Sequence, residues 1–177
     1  MPCLKQTVAL VGMMGAGKSS LGRRLAARLD VSFKDADSEI EAAAGCSINE
    51  IFDRFGETAF RDGERKVVAR LLSESPHVLA TGGGAFIDDQ TRARIKAVAL
   101  SVWINVPIDV LVTRVGRRET RPLLRNGDPK EIMIRLLAER EAIYAEADLT
   151  INSEDAPHGA AVEKIVVALK ERGMLAE

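Results

Sequence analysis

Cysteine and histidine are scarce. The 177 residues hold two of each, Cys3 and Cys46, His77 and His158. Two cysteines are too few for a disulfide scaffold, and these four residues stand at no metal-ligand spacing, so neither a stapled framework nor a zinc site is expected. A surplus of positive charge is missing too. Lysine and arginine number 25 against 26 acidic residues, a net charge of −1. Nucleic-acid binders usually carry a basic excess, because phosphate neutralisation supplies most of their affinity. Long apolar runs and a leader-like N-terminus are absent, so no transmembrane span or signal peptide is expected, and cytoplasmic residence follows as the default. There is no internal repeat and no low-complexity tract. With 46% apolar and 29% charged residues, the composition is that of an ordinary globular chain. Its length points to a single domain over 1–177, able to bury roughly 70% of its unfolded surface.

Within that composition, strand and helix patterns alternate, which predicts a parallel sheet covered by helices. Thr7 to Val11 reads as a strand ending at Gly12. Ser19 to Leu29 reads as a helix with Leu21, Leu25, Ala26 and Leu29 on one stripe. Val31 to Lys34 is a second strand. Asp37 to Phe55 reads as two short helices broken at Gly45, with Ser47 and Glu50 forming a capping box. A longer helix runs from Glu57 to Ser75, a strand from Val78 to Ala80, a helix from Asp88 to Val98 and a strand from Ala99 to Val106. Trp103, the single tryptophan, falls in that last strand as a core residue. Pro107 suits the first turn of the next helix. The polar, arginine-rich stretch Arg114 to Asp128 reads as a loop. Pro129 to Ala145 is a helix, Leu149 to Ile151 a strand and Pro157 to Arg172 a closing helix.

Between the first strand and helix lies Gly12-Met13-Met14-Gly15-Ala16-Gly17-Lys18-Ser19, a match to G-x-x-x-x-G-K-[ST] in the element order that gives the motif meaning. Glycines let successive backbone N–H groups face phosphates, and the helix N-terminus adds positive potential. Lys18 can reach the β- and γ-phosphates and Ser19 can ligate magnesium. A nucleoside triphosphate is the expected ligand.

A second set of residues points to a small acidic substrate. Asp35 and Asp37 stand at a strand end, where open α/β sheets place ligands. Two-residue spacing puts both on one side of an extended chain, one to serve the metal and one a substrate hydroxyl. The alternative is a solvated loop with a helix N-cap at Asp37. On the helix after Glu57 the stripe Val68, Leu71 and Leu72 runs back onto Glu64 and Arg61, and Arg140 falls within the stripe of the Pro129 helix. A buried arginine is costly unless paired or facing a polar cavity. Either these residues make internal Arg–Glu ion pairs, or Arg61 and Arg140 converge on an anionic group that suits the guanidinium fork. Thr81-Gly82-Gly83-Gly84 is either a simple turn or a place where backbone amides approach a ligand. The run Arg114, Arg117, Arg118, Arg121 and Arg125 is either a solvated loop or a lid that delivers an arginine to the transferring phosphate, with Arg121-Pro122 the sharpest candidate.

Taken together, the GMMGAGKS loop, DAD at Asp35–Asp37, FRDGE at Phe60–Glu64, TGGG at Thr81–Gly84, RPLL at Arg121–Leu124 and ERE around Arg140 resemble the shikimate kinase family over nearly the whole chain. The resemblance implies a three-layer α/β P-loop kinase fold: a five-stranded parallel sheet flanked by helices, a helical substrate-binding region at about 37–64 and a lid at about 114–128. It implies ATP- and Mg²⁺-dependent phosphorylation of the 3-hydroxyl of shikimate, on the route to aromatic amino acids, by a monomer. Nucleotide contacts would come from Gly12, Gly15, Ala16, Gly17, Lys18, Ser19, Ser20, Arg114 near adenine and Arg121. Substrate contacts would come from Asp37, Arg61, Gly82, Gly83, Gly84 and Arg140, and the metal shell from Ser19 and Asp35. Lys18, Asp37 and Arg121 are the implied catalytic residues. Two departures stand out. Val78-Leu79-Ala80-Thr81 carries no Walker-B aspartate, as in the family, and the adenine loop reads Ile151-Asn152-Ser153 where the family usually has Asp second. The rivals are a kinase for another small acid or nucleotide, and a GTP-driven switch. The switch would need an N-K-x-D run that the chain does not contain.

Overall fold

The computed structural model describes residues 3–116, 122–124, 127–153 and 158–176. Five strands form one parallel sheet: β2 (Thr7–Val11), β3 (Phe33–Asp35), β4 (Val78–Ala80), β5 (Ala99–Asn105) and β6 (Leu149–Asn152). Their order is β3-β4-β2-β5-β6. Every residue of β2 is buried, as a parallel strand with helices on both faces requires. The seven helices are α1 (Lys18–Leu29), α2 (Ala36–Ala44), α3 (Ile48–Leu72), α4 (Asp89–Val98), α5 (Ile108–Gly116), α6 (Pro129–Tyr144) and α7 (Gly159–Glu171). The architecture is the three-layer α/β arrangement that the alternation predicts. A short ribbon, β1 (Cys3–Leu4) paired antiparallel with β7 (Leu175–Ala176), ties the two ends of the chain together. Two-residue strands leave no periodic signal, so this pairing was not foreseen. No helix among the described residues is long and apolar enough to cross a membrane.

The chain leaves β2 on one side of the sheet, to β3 and β4, and later returns to the other side as β5. The carboxyl end of β2 is therefore the topological switch point, where open α/β sheets bind ligands. In-register pairing of Leu10 with Ala80 and Val102 brings the loops after β2 and β4 side by side at that end.

Several boundaries differ from expectation for local reasons. The second strand starts at Phe33 rather than Val31, because α1 ends in a left-handed cap. Asp30 has φ 55° and donates its N–H to Ala26 and Ala27 oxygens, and Val31 donates to Ala26 O. Asp35 is the last strand residue and also the N-cap of α2, accepting from the N–H groups of Asp37 and Ser38. The alternative that put the N-cap at Asp37 is not met, since the cap is Asp35. Asp37 lies inside the first turn, so the alternation that put both carboxylates on one side does not apply. Pro107 precedes α5, its carbonyl receiving Leu111 N–H. Arg114 belongs to the last turn of α5, which runs to Gly116, so the loop expected from Arg114 begins later. Pro122–Leu124 forms a 3-10 turn. Arg117, Arg118, Arg121 and Arg125 of the expected lid, and Pro157 at the expected start of the closing helix, lie outside the described residues.

The capping box at the start of α3 is present in both directions: Ser47 Oγ accepts from Glu50 N–H, and Glu50 accepts from Ser47 N–H. Gly56, at φ 82° and ψ 175°, is not helical, so α3 is two helical runs joined at a kink, in line with the expected end at Phe55 and restart at Glu57. The capped end stands over the cavity described below. Ser47→Ala is expected to cost about 1 kcal/mol of unfolding free energy, measured by urea denaturation. An unchanged midpoint and slope would remove the cap from the account of this helix.

Candidate active site

The phosphate loop connects β2 to α1. Gly12 has φ 140°, and a Cβ there would stand 2.9 Å from Ile104 O. Gly17, at φ 86°, caps α1 without a side chain. Both positions require glycine, one for close approach and both for backbone sign. Lys18 Nζ folds back onto the loop, donating to Gly12 O at 2.5 Å and Met13 O at 3.0 Å. Ala16 is buried and Ser20 faces solvent on the first turn of α1. Ser19 Oγ donates to Asp35 Oδ2, which sets a hydroxyl and a carboxylate together beside the loop. Arg114 reaches across from α5 to donate to Gly15 O at 3.2 Å. His158, at the start of α7, brings its Cε1 to 3.2 Å from a Cβ position on Gly17. Desolvation, Arg24 and Arg114 push its pKa down. The sequence reading missed His158, because a lone histidine after a loop carries no spacing signal.

The loop after β4 packs directly on this phosphate loop: a Cβ on Gly83 would stand 3.2 Å from Met14 N. Around Gly82–Gly84 the charged residues collect. A Cβ on Gly82 would stand 2.9 Å from Asp37 Oδ1 and 3.0 Å from Glu64 Oε2. On Gly84 it would stand 2.5 Å and 2.6 Å from the two terminal nitrogens of Arg61. The triglycine run is a turn, closed by Ala85 N–H on Gly82 O at 3.2 Å, around which two carboxylates and a guanidinium meet backbone. Arg140 on α6 donates to Gly83 O at 3.3 Å and is only 9% exposed. Both arginines therefore lie against neighbouring residues of one loop.

The two readings of Arg61 hold together. It donates to Glu64 Oε1 at 2.9 Å, one turn along α3, so the internal ion pair exists. Its side chain nevertheless stays 18% exposed on the wall of a cavity of about 470 Å³ lined also by Asp37, Glu64 and Gly82–Gly84. Among the described residues Arg140 meets the Gly83 carbonyl and no carboxylate. Phe52, Phe60, Ile48 and Leu123 supply apolar wall. These had no signal beyond helical periodicity, although Phe60 sits beside Arg61 in the same motif. Arg121 lies outside the described residues.

A triphosphate loop at a switch point, facing a cavity of mixed charge built on the next strand's end, defines a P-loop phosphotransferase. The family model "Shikimate kinase" matches residues 14–170. A shikimate kinase of Bradyrhizobium diazoefficiens is 57% identical over 165 residues, covering 93% of this chain and 80% of its own length. One of Caulobacter vibrioides is 54% identical, covering 96% and 85%. Among solved structures, shikimate kinase from Acinetobacter baumannii in complex with shikimate superposes with a TM-score of 0.91 at 36% identity, over 94% of each chain. The chain belongs to the shikimate kinase family, and it is a kinase by that membership.

Glu64 is the strained partner in the cavity. Burial raises its pKa, with the Arg61 guanidinium opposing, and its Oε2 is buried without a hydrogen bond. A carboxyl whose folded pKa is raised favours the folded state below the ordinary value of 4.5 and loses that contribution as pH climbs through the folded pKa. Glu64→Gln cannot ionise, so its stability relative to the parent is expected to improve as pH rises from 4 to 8, read by urea unfolding at both ends. A pH-independent difference would contradict the burial penalty.

Proposed function

We propose that this protein transfers the γ-phosphoryl group of ATP to the 3-hydroxyl of shikimate, giving shikimate 3-phosphate in aromatic amino acid (chorismate) synthesis. The observation that carries the reading is the placement of Arg61 and Arg140 on adjacent glycines of one loop, which itself rests on the phosphate loop. Two guanidinium groups beside a triphosphate site suit a carboxylate, and Asp37 on the same wall suits hydroxyls. Relatives that carry the shikimate kinase name support the same substrate.

Phosphoryl transfer passes through a loose transition state, so the protein contributes positioning and charge. Lys18 exchanges its carbonyl partners for the β- and γ-phosphate oxygens. Backbone N–H groups of Gly12, Gly15, Ala16 and Gly17 cradle the phosphates, Ser20 adds a contact at the start of α1, and Arg114 lies along the base. Ser19 and Asp35 offer the hard oxygen donors that magnesium takes when substrate phosphates complete its shell. That explains why no cluster of three acidic, histidine or cysteine ligands is needed, and none occurs among the described residues. When bound, the ion neutralises charge on the phosphate oxygens. Asp37 orients the attacking hydroxyl and stands ready to receive its proton. Arg61, Arg140 and the Gly82–Gly84 backbone hold the acid. On sequence grounds alone, Arg121 is kept as the arginine that meets the transferring phosphate, within a lid at about 114–128 opposite a substrate region at about 37–64. A monomer is kept as the working unit on sequence grounds alone, and ATP dependence fits a cytoplasmic setting.

A coupled ADP assay over shikimate, gluconate and nucleoside monophosphates tests the reading, with turnover expected for shikimate; preference for either of the others would overturn it. Arg61→Ala should raise KM for shikimate about 10- to 100-fold, the loss of a charge-assisted fork, with little change in KM for ATP. An unchanged KM would remove the carboxylate assignment. Lys18→Ala should lower kcat by about 10²-fold or more, as for other groups that stabilise developing charge. Retained kcat would contradict its role.

A further inference from the structure

Tyr144 is fully buried at the end of α6. Its ring stacks on Trp103, with centroids 5.9 Å apart. Trp103 in turn abuts the phosphate loop, its Cδ1 3.3 Å from a Cβ position on Gly12. The phenol hydroxyl donates to Gly83 O, the same carbonyl that takes the longer bond from Arg140 at 3.3 Å. Burial raises the Tyr144 pKa, with Arg140 opposing, so the hydroxyl keeps its proton and serves as donor.

Three consecutive glycines have the least intrinsic conformational restraint of any run. Something outside the loop must set the direction of its peptide groups. A trans peptide carries its C=O and the following N–H on opposite edges, and no cis bond occurs among the described residues. With Gly83 O drawn toward α6, the Gly84 N–H is turned the other way, toward the cavity that Gly84 lines. The loop's own hydrogen bonds run from Ala85 N to Gly82 O and from Ile87 N to Gly84 O, and leave that N–H unclaimed. Arg61 lies against the same glycine.

We infer that Tyr144 is a positioning residue for the acid substrate: by holding the Gly83 carbonyl against α6, it aims the Gly84 N–H at the carboxylate that Arg61 grips. This rests on the proposed reading of Gly82–Gly84 as the acid cradle. The bond to the carboxylate exists before and during phosphoryl transfer alike, so its loss affects binding rather than the chemical step.

Tyr144→Phe keeps the ring and its stacking and deletes only the donor. Its KM for shikimate is expected to rise about five- to tenfold, the weakening of one charge-assisted hydrogen bond, while kcat and KM for ATP stay within about twofold. The methyl ester of shikimate offers only a neutral carbonyl acceptor, so its kcat/KM should fall clearly less in the variant than that of the acid. An unchanged KM for shikimate in the folded variant overturns the inference. Equal losses for acid and ester also overturn it, since they mark a purely structural role. In the parent protein labelled with ¹⁵N-glycine, the Gly84 amide proton should move downfield when shikimate is added and move less with the ester, a weaker acceptor. An unmoved resonance overturns the inference even if the variant does not fold. A parent enzyme inactive on shikimate would instead sink the proposed function.

Discussion

The pairing of β2 between β4 and β5 is the constraint on which the site depends. Leu10 sits opposite Ala80, and its carbonyl accepts from both the N–H and the hydroxyl of Thr81. That pair of hydrogen bonds fixes where β4 ends relative to the phosphate loop. A slip of one residue would turn every side chain of a strand to the other face and separate Gly83 from Met14. Because β2 is buried on both sides, its apolar side chains tolerate no such slip, and the two glycine loops stay in contact.

From that contact the division of labour follows. On the proposed reading, the phosphate loop meets the triphosphate with backbone amides, Lys18 and the Ser19–Asp35 pair, and the second loop meets the acid with backbone and with side chains from two helices that reach it from different directions. Arg61 comes from α3, whose entry is set by the Ser47–Glu50 cap, and Arg140 from α6, which starts at Pro129 behind the N-cap Asp128. Each arginine would be costly to bury alone. Arg61 is balanced by Glu64, at the expense of holding Glu64 in a poorly solvated position. Among the described residues Arg140 meets the Gly83 carbonyl rather than a carboxylate, which fits the proposed role of its charge toward an anion.

Membership of the shikimate kinase family gives this arrangement its chemical sense. A P-loop enzyme must keep water away from a reactive phosphoryl group while admitting one specific hydroxyl. The cavity has apolar wall from Phe52, Phe60 and Ile48, with the charges of Asp37, Arg61 and Glu64 gathered around one glycine loop, a lining that fits the proposed acid bearing a hydroxyl.

Much of this was legible in the residues. The phosphate loop, the alternating α/β order and the inward position of Arg61, Glu64 and Arg140 follow from local spacing, since helical and strand periods are properties of the chain itself. The cap at Ser47 follows for the same reason. Tertiary structure alone decided the rest. Asp35 and Asp37 part company because a helix starts between them. Arg61 proved to be both ion-paired and cavity-facing, and Tyr144, whose place on α6 carries no polar signal of its own, puts its hydroxyl on Gly83. His158 meets Gly17 across 141 positions of chain. Periodicity states which face of an element turns inward, whereas the partner that a polar atom finds there is set by neighbouring elements that meet only after folding.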